Sequence, residues 1–179
     1  DPLAFRLSRI TQHPRMHAVL KRVGEMANWS KPRPEGTGLG VGVFEEWGSV
    51  AAQVAEVSVA NDTLTIHKIW AAVDCGRVVS PDTVRAQTES GIHCGLSAAL
   101  MGKITLENGQ ATQSNFDTYP VMDLTRSPEI EVALMDSDLP PGGVGEIGTP
   151  ATAPAVTNAI FAAIGKRIRT LPINLHMGV

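Results

Sequence analysis

The chain has 179 residues, 43% of them hydrophobic and 18% charged, with a formal net charge of −3. That size and apolar content suit one domain with a packed core, and the interspersed charges exclude a basic face for nucleic acid or a polybasic stretch for a membrane. Two cysteines, Cys75 and Cys94, with no CxxC pair and no Cys/His cluster at zinc spacing, argue against a disulfide framework or structural zinc, and no metal ligand is assigned.

In chain order, Asp1 followed by Pro2 predicts a helix N-cap and first-turn proline. "PRMHAVLKRVGEMANW" continues as a second helix with Met16, Val19, Leu20, Val23 and Met26 at helical spacing. The polar connector "KPRPEGTG" leads to three β-rich runs, "LGVGVFEEW", "SVAAQVAEVSVA" and "TLTIHKIWAAVDC", broken at Gly48 and at Asn61-Asp62. Short breaks between such runs predict an antiparallel meander.

Ser80-Pro81-Asp82 starts a helix that runs to Leu100, with Gly91 and Gly95 four apart so as to leave a groove on one face. Asn108-Gly109 marks a hairpin within "KITLENGQATQSNF", and "EIEVALMD" alternates as a strand. "ATAPAVTNAIFAAIG" is an apolar helix ending at Gly165, with Lys166, Arg167 and Arg169 placed to complement its dipole. The fold class is α+β, with an antiparallel or mixed sheet and packed helices in a single domain over 1–179.

The densest signal is "DLPPGGVGEIGTPATAPAV", residues 138–156, where four glycines surround Glu146. Thr149-Pro150 reads as an N-cap and first-turn proline, which sets the loop before the positive end of the last helix. Glycines at 142, 143, 145 and 148 let a ligand approach the main chain and let amides converge on an anion. Glu146 itself repels an anion, so its functional reading is proton transfer from a partly buried position that raises its pKa. The competing reading is a turn from strand to helix in which Glu146 merely complements the helix dipole. Spacing leaves both open.

Four segments in order, "GSVAAQVAEVSV", "AAVDCGRVVSPDTVRAQTESGIHCGLSAAL", "QSNFDTYPVM" and "PPGGVGEIGTPATAPAVTNAIFAAIGKRIRTLPI", resemble the C-terminal part of the molybdenum-binding large subunits of the xanthine dehydrogenase and aldehyde oxidoreductase family, nearest to isoquinoline 1-oxidoreductase beta subunits. The resemblance implies the C-terminal molybdopterin-binding domain of a molybdenum hydroxylase, which hydroxylates an N-heterocycle or aldehyde with oxygen from water. It makes Glu146 the general base, sets Gly142, Gly143, Val144 and Gly145 against the cofactor, and makes Gln87, Gly91 and Gly95 a second cofactor-facing stretch. The implied cofactor is molybdopterin, in its cytosine dinucleotide form, with molybdenum. Iron–sulfur clusters need four cysteines each and so belong to a partner subunit.

The family's subunit is several times longer, so the expectation is a C-terminal fragment that carries the base, is inactive alone, and is completed by the upstream part of the large subunit and an iron–sulfur small subunit. The lack of an initiator methionine and of a signal-peptide core fits that expectation. The resemblance assigns no compartment, since relatives occur in both the bacterial cytoplasm and the periplasm. The alternative function is a non-catalytic folded domain for subunit assembly or protein interaction. Asp74 and Arg85 read as an ion pair or cap rather than as residues that orient the cofactor loop, His93 as a hydrogen-bonded helical histidine rather than a metal ligand, and Cys75 and Cys94 as buried or semi-buried thiols.

Overall fold

A computed structural model describes every residue from Asp1 to Val179. Helix α1 (Pro2–Arg9) begins as the sequence predicts: the Asp1 carboxylate accepts the Ala4 N–H at 2.7 Å. Its other oxygen accepts the Trp29 indole N–H at 2.8 Å, tying α1 to the end of α2 (Pro14–Met26). Of the apolar stripe on α2, Val19, Leu20 and Val23 are fully buried, while Met16 and Met26 pack against them at the rim.

Strands β1 (Thr37–Glu46), β2 (Ser49–Ala60) and β3 (Thr63–Asp74) form the expected antiparallel meander. Its two turns fall where the sequence breaks: Trp47-Gly48 and Asn61-Asp62 all adopt positive φ. The turns are tight, and such turns carry positive φ at both central residues. Helix α3 (Pro81–Met101) then returns the chain, and β6 (Glu129–Leu134) joins β3 in parallel, so the sheet is mixed with the order β1-β2-β3-β6. The hairpin at Asn108-Gly109 is present but shorter than the sequence run, with β4 (Leu106–Glu107) and β5 (Gln110–Ala111) two residues each. Their side chains are exposed, and nothing buries them into a longer pairing.

Both faces of the sheet are covered. Helix α2 packs Val19, Leu20 and Val23 against Leu39, Val41, Val50, Val54 and Trp70. On the other face α3 and α4 (Thr152–Ile164) bury Ile92, Leu96, Val156 and Ile160 against Ala55, Val57 and Ile69. Burial on two sides explains why β2 reads as an almost continuous apolar run rather than an alternation.

One sheet–helix contact is made by main chain alone. A Cβ built on Gly38, Gly40 or Gly42 falls 2.4, 2.1 and 2.4 Å from the carbonyl oxygens of Ala159, Ala155 and Ala151. Every second residue of a strand advances about 6.6 Å and every fourth residue of a helix about 6 Å, so the two series stay in step. The glycine stripe therefore lets α4 lie directly on β1, and Asn158 Nδ2 donates to the Val41 carbonyl at 3.1 Å.

Helix α4 ends at Gly165 in the left-handed conformation, as expected of its sequence. The cations beyond it do not reach the last helical carbonyls. Lys166 donates to the His176 carbonyl at 2.6 Å, and Arg167 donates to Asn158 Oδ1 at 3.0 Å with its guanidinium over the Phe161 ring. No helix is long and apolar enough to cross a membrane.

Candidate functional site

The glycine loop is held at both ends before it reaches Glu146. A Cβ at Gly76 falls 2.2 Å from the Pro140 carbonyl, so the chain leaving β3 and the start of the loop touch through bare backbone. The Gly142 N–H donates to the Cys75 carbonyl and the Gly143 N–H to the Trp47 carbonyl, each at 2.8 Å. A Cβ on Gly142 lies 2.5 Å from Ser49 Oγ, and one on Gly143 lies 2.9 Å from the Trp47 Cβ. These two glycines seat the loop against the β1–β2 turn. The Val144 side chain packs partly against Ile147 and its neighbours Val73, Cys75 and Val84.

Beyond Glu146 the anchor is buried and polar. Gln53, fully buried in the middle of β2, donates through Nε2 to the Gly148 carbonyl at 2.6 Å and accepts from Thr152 Oγ1 at 2.9 Å. Gly148 presses on α3, since a Cβ there lies 2.4 Å from the Thr88 carbonyl. Gln87, half-buried on α3, donates to the Gly145 carbonyl at 2.6 Å.

The groove predicted at Gly91 and Gly95 exists, and this chain fills it. A Cβ at Gly91 falls 3.1 Å from Gly148 Cα, and one at Gly95 falls 2.9 Å from the Thr149 carbonyl. The two glycines thus position the loop from behind.

Two expectations are corrected here. Thr149 does not cap α4: the helix begins at Thr152 with Ala151 at the cap and no side-chain cap bond, because the Thr149 hydroxyl is turned toward α3 and donates to the Gly91 carbonyl at 3.0 Å. Glu146 is exposed rather than partly buried. The flanking residues Val144 and Ile147 take up the inward positions.

Within the loop, the N–H groups of Val144, Gly145, Glu146, Ile147 and Gly148 have no hydrogen-bond partner in the chain. A Cβ on Gly145 meets nothing within 4 Å, and its φ is not in the left-handed region. Glycine here keeps space open. A depression of about 300 Å³ is lined by Trp47, Gly143, Gly145 and Glu146. A second depression of about 280 Å³, lined by Leu64, Ile66, Leu100, Met101, Arg126 and Val179 among others, sits at the far end of α3. Its lining contains no acidic side chain, whereas the loop depression contains Glu146.

Three contributors escaped the sequence: Gln53, Trp47 and Arg15. Gln53 could have been found as the one amide inside "VAAQVAEV". Arg15 grips Asp74 through Nε at 2.8 Å and Nη2 at 2.9 Å, and Nη2 also donates to the Gly48 carbonyl at 3.0 Å. Asp74 is therefore an ion-pair residue as read, but its partner is Arg15; Arg85 pairs instead with Asp82 at 3.3 Å. His93 lies 3.4 Å from Ser127 Oγ, a hydrogen-bonded helical histidine. Cys75 is buried as expected, and that burial together with the Asp74 charge pushes its thiol up; Cys94, expected to be at least semi-buried, is instead exposed on α3.

Burial pushes the Asp74 carboxyl up, but the Arg15 guanidinium and the Gly76 N–H outweigh it and hold the group below the usual carboxylate range. A carboxyl whose pKa falls on folding stabilises the fold fully above its unfolded pKa, and the contribution disappears as pH drops through the lower folded value. Asp74→Asn is expected to cost about 2 kcal/mol at pH 7 and to flatten the acid limb of stability, measured by urea unfolding from pH 7 to pH 3. An unchanged acid limb in the variant would mean that other carboxylates govern it.

Residues 17–128 match the family model described as the molybdopterin cofactor-binding domain. The chain belongs to that family. Over 97% of its length this molybdopterin-binding domain is 36% identical to isoquinoline 1-oxidoreductase subunit beta of Brevundimonas diminuta, covering 23% of that protein. It is 34% identical, again over 97%, to the membrane-bound aldehyde dehydrogenase [pyrroloquinoline-quinone] of Gluconacetobacter polyoxogenes, covering 25% of it. The domain thus spans about a quarter of the length of these curated relatives.

The crystal structure of quinoline 2-oxidoreductase from Pseudomonas putida 86 superposes with a TM-score of 0.65 at 22% identity, over 70% of this chain and 17% of that one, and establishes the common fold. The domain is of the type found in the large subunits of molybdenum hydroxylases, a family of oxidoreductases. The matched family model stops short of the glycine loop, which is covered by the pairwise similarity to the two relatives.

Proposed function

We propose that this domain contributes Glu146 and its loop to the active site of a molybdenum hydroxylase that hydroxylates an N-heterocycle or an aldehyde with oxygen from water. The observation that carries the proposal is an exposed carboxylate on a loop fixed at both ends, flanked by amides without partners. A turn that only joined a strand to a helix has no need to be pinned by a buried glutamine and four backbone contacts while leaving the N–H groups of Val144, Gly145 and Glu146 open.

These residues fit a polyanionic molybdopterin. The free amides of Val144, Gly145 and Glu146 are donors of the kind that bind such groups, and the space at Gly145 admits a close approach. The bound cofactor supplies the redox centre that takes up the electron pair of the oxidation. This chain supplies the rest: Gln53 and Gln87 orient the loop through Gly148 and Gly145, the amides hold anionic oxygens, and Glu146 takes the proton released as water-derived oxygen is transferred to carbon.

On this reading Gly142, Gly143, Val144, Gly145 and Gln87 border the cofactor in its cytosine dinucleotide form, and Gly91 and Gly95 support them. The upstream part of the large subunit closes the site and desolvates Glu146, while an iron–sulfur subunit removes electrons. The chain by itself is expected to be inactive, because one loop cannot enclose both a dinucleotide and a substrate. Elemental and pterin analysis of the domain alone and of the assembled enzyme tests this. Molybdenum and pterin in the assembly only is the expected outcome, and their absence from both would leave the assembly-domain reading.

A further inference from the structure

The site holds one residue that its own turn does not explain. Three tight turns in this chain place both central residues at positive φ, and two of them use the side chains that tolerate it, Asn61-Asp62 and Asn108-Gly109. The third is Trp47-Gly48, with Trp47 at φ 54. A bulky residue in that region is an outlier, and such outliers gather at ligand sites because nothing in the fold selects them.

Core packing does not account for it. The Trp47 side chain remains 49% exposed, its ring centroid 5.9 Å from that of Phe44 in a tilted pair. The bond that matters to the loop, from Gly143 N–H to the residue 47 carbonyl, is made by main chain and would serve with any residue there. What the indole adds is a wall to the depression whose other lining residues are Gly143, Gly145 and Glu146. Gly143, with no Cβ, lets the loop close onto the Trp47 Cβ, and the turn is steadied from outside by Arg15 on the Gly48 carbonyl.

We infer that Trp47 is a specificity-determining residue, a stacking wall that holds a planar heteroaromatic ring beside Glu146. The inference rests on the proposed function and narrows it: an indole face favours a flat π-system over an aliphatic chain, since stacking adds to the burial that both would gain. Of the two planar rings such an enzyme handles, substrate and pterin, the substrate is assigned, because the indole shares its depression with the carboxylate that takes the proton.

The test compares Trp47→Ala and Trp47→Phe with the parent in the assembled enzyme. Isoquinoline and butyraldehyde serve as substrates, isoquinoline binding is measured by calorimetry, and molybdenum is quantified in every sample. Trp47→Ala is expected to weaken isoquinoline binding and raise its KM roughly tenfold. It should lower kcat/KM for butyraldehyde by a clearly smaller factor, about threefold, and leave molybdenum unchanged, and Trp47→Phe should restore most of the isoquinoline affinity.

Equal losses on both substrates, or no loss on either, would overturn the assignment. A fall in molybdenum content confined to Trp47→Ala would transfer the ring to the cofactor and overturn it too. If the parent assembly contains no molybdenum, the proposed function fails on that ground, and calorimetry with isoquinoline still decides whether Trp47 binds a flat ring.

Discussion

Glu146→Gln in the assembled enzyme is expected to lower kcat by about 10²- to 10⁴-fold while molybdenum and pterin content stay at the parent level. The amide keeps the shape and removes the proton acceptor. Because the Glu146 side chain is exposed and its carboxylate makes no hydrogen bond or ion pair within the chain, the substitution has no structural cost to confuse the result, and thermal unfolding of the variant should match the parent. Turnover within a few-fold of the parent at full cofactor occupancy would remove Glu146 from the chemistry. An equal fall in cofactor content would make it a binding residue instead.

The largest effect on stability is expected at Gly40, in the middle of the glycine stripe. A Cβ there meets the Ala155 carbonyl oxygen and the Ala159 nitrogen at 2.1 Å each, and main chain on both sides cannot rotate away as a side chain would. Overpacking of a core ordinarily costs about 1–3 kcal/mol. With backbone as the obstacle, Gly40→Ala is expected at the upper end, about 3 kcal/mol, which lowers Tm by roughly 6–12 °C in a domain of this size. Gly145→Ala is the control: its added methyl meets nothing, so Tm should move by no more than about 1–2 °C. Equal shifts in the two variants would mean that α4 does not rest on β1 as described.

Much of the fold was legible because its punctuation is local. Asp1 before Pro2, Asn61-Asp62, Asn108-Gly109 and Gly165 each mark a boundary through the backbone conformation they favour, and each marks one in the structure. What lay out of reach depends on partners far along the chain. The alternation of "EIEVALMD" announces a strand, but not that β6 lies parallel to β3. Gly38, Gly40 and Gly42 look like weak points in a β-run until α4 is set against them.

The site divides the same way. The glycine loop and Glu146 stand out by composition, and Gln87 by resemblance. Thr149-Pro150 misleads as a cap because the hydroxyl finds a better-placed carbonyl on α3, at Gly91. The exposure of Glu146 follows from Val144 and Ile147 taking the inward positions on either side of it. The trade of Arg85 for Arg15 as the partner of Asp74 is a matter of which helix lies beside the end of β3, and no spacing in the sequence carries that information.

The glycine stripe also orders events in time. Strand β1 is synthesised before α4, and the Asn158 amide that bonds the Val41 carbonyl lies 117 residues away from it. Until α4 is synthesised, β1 has only bare backbone on that face and nothing else in the chain shaped to cover it, a state open to pairing with other strands. The glycine loop, which runs from β6 to α4, takes its final position only after that closure.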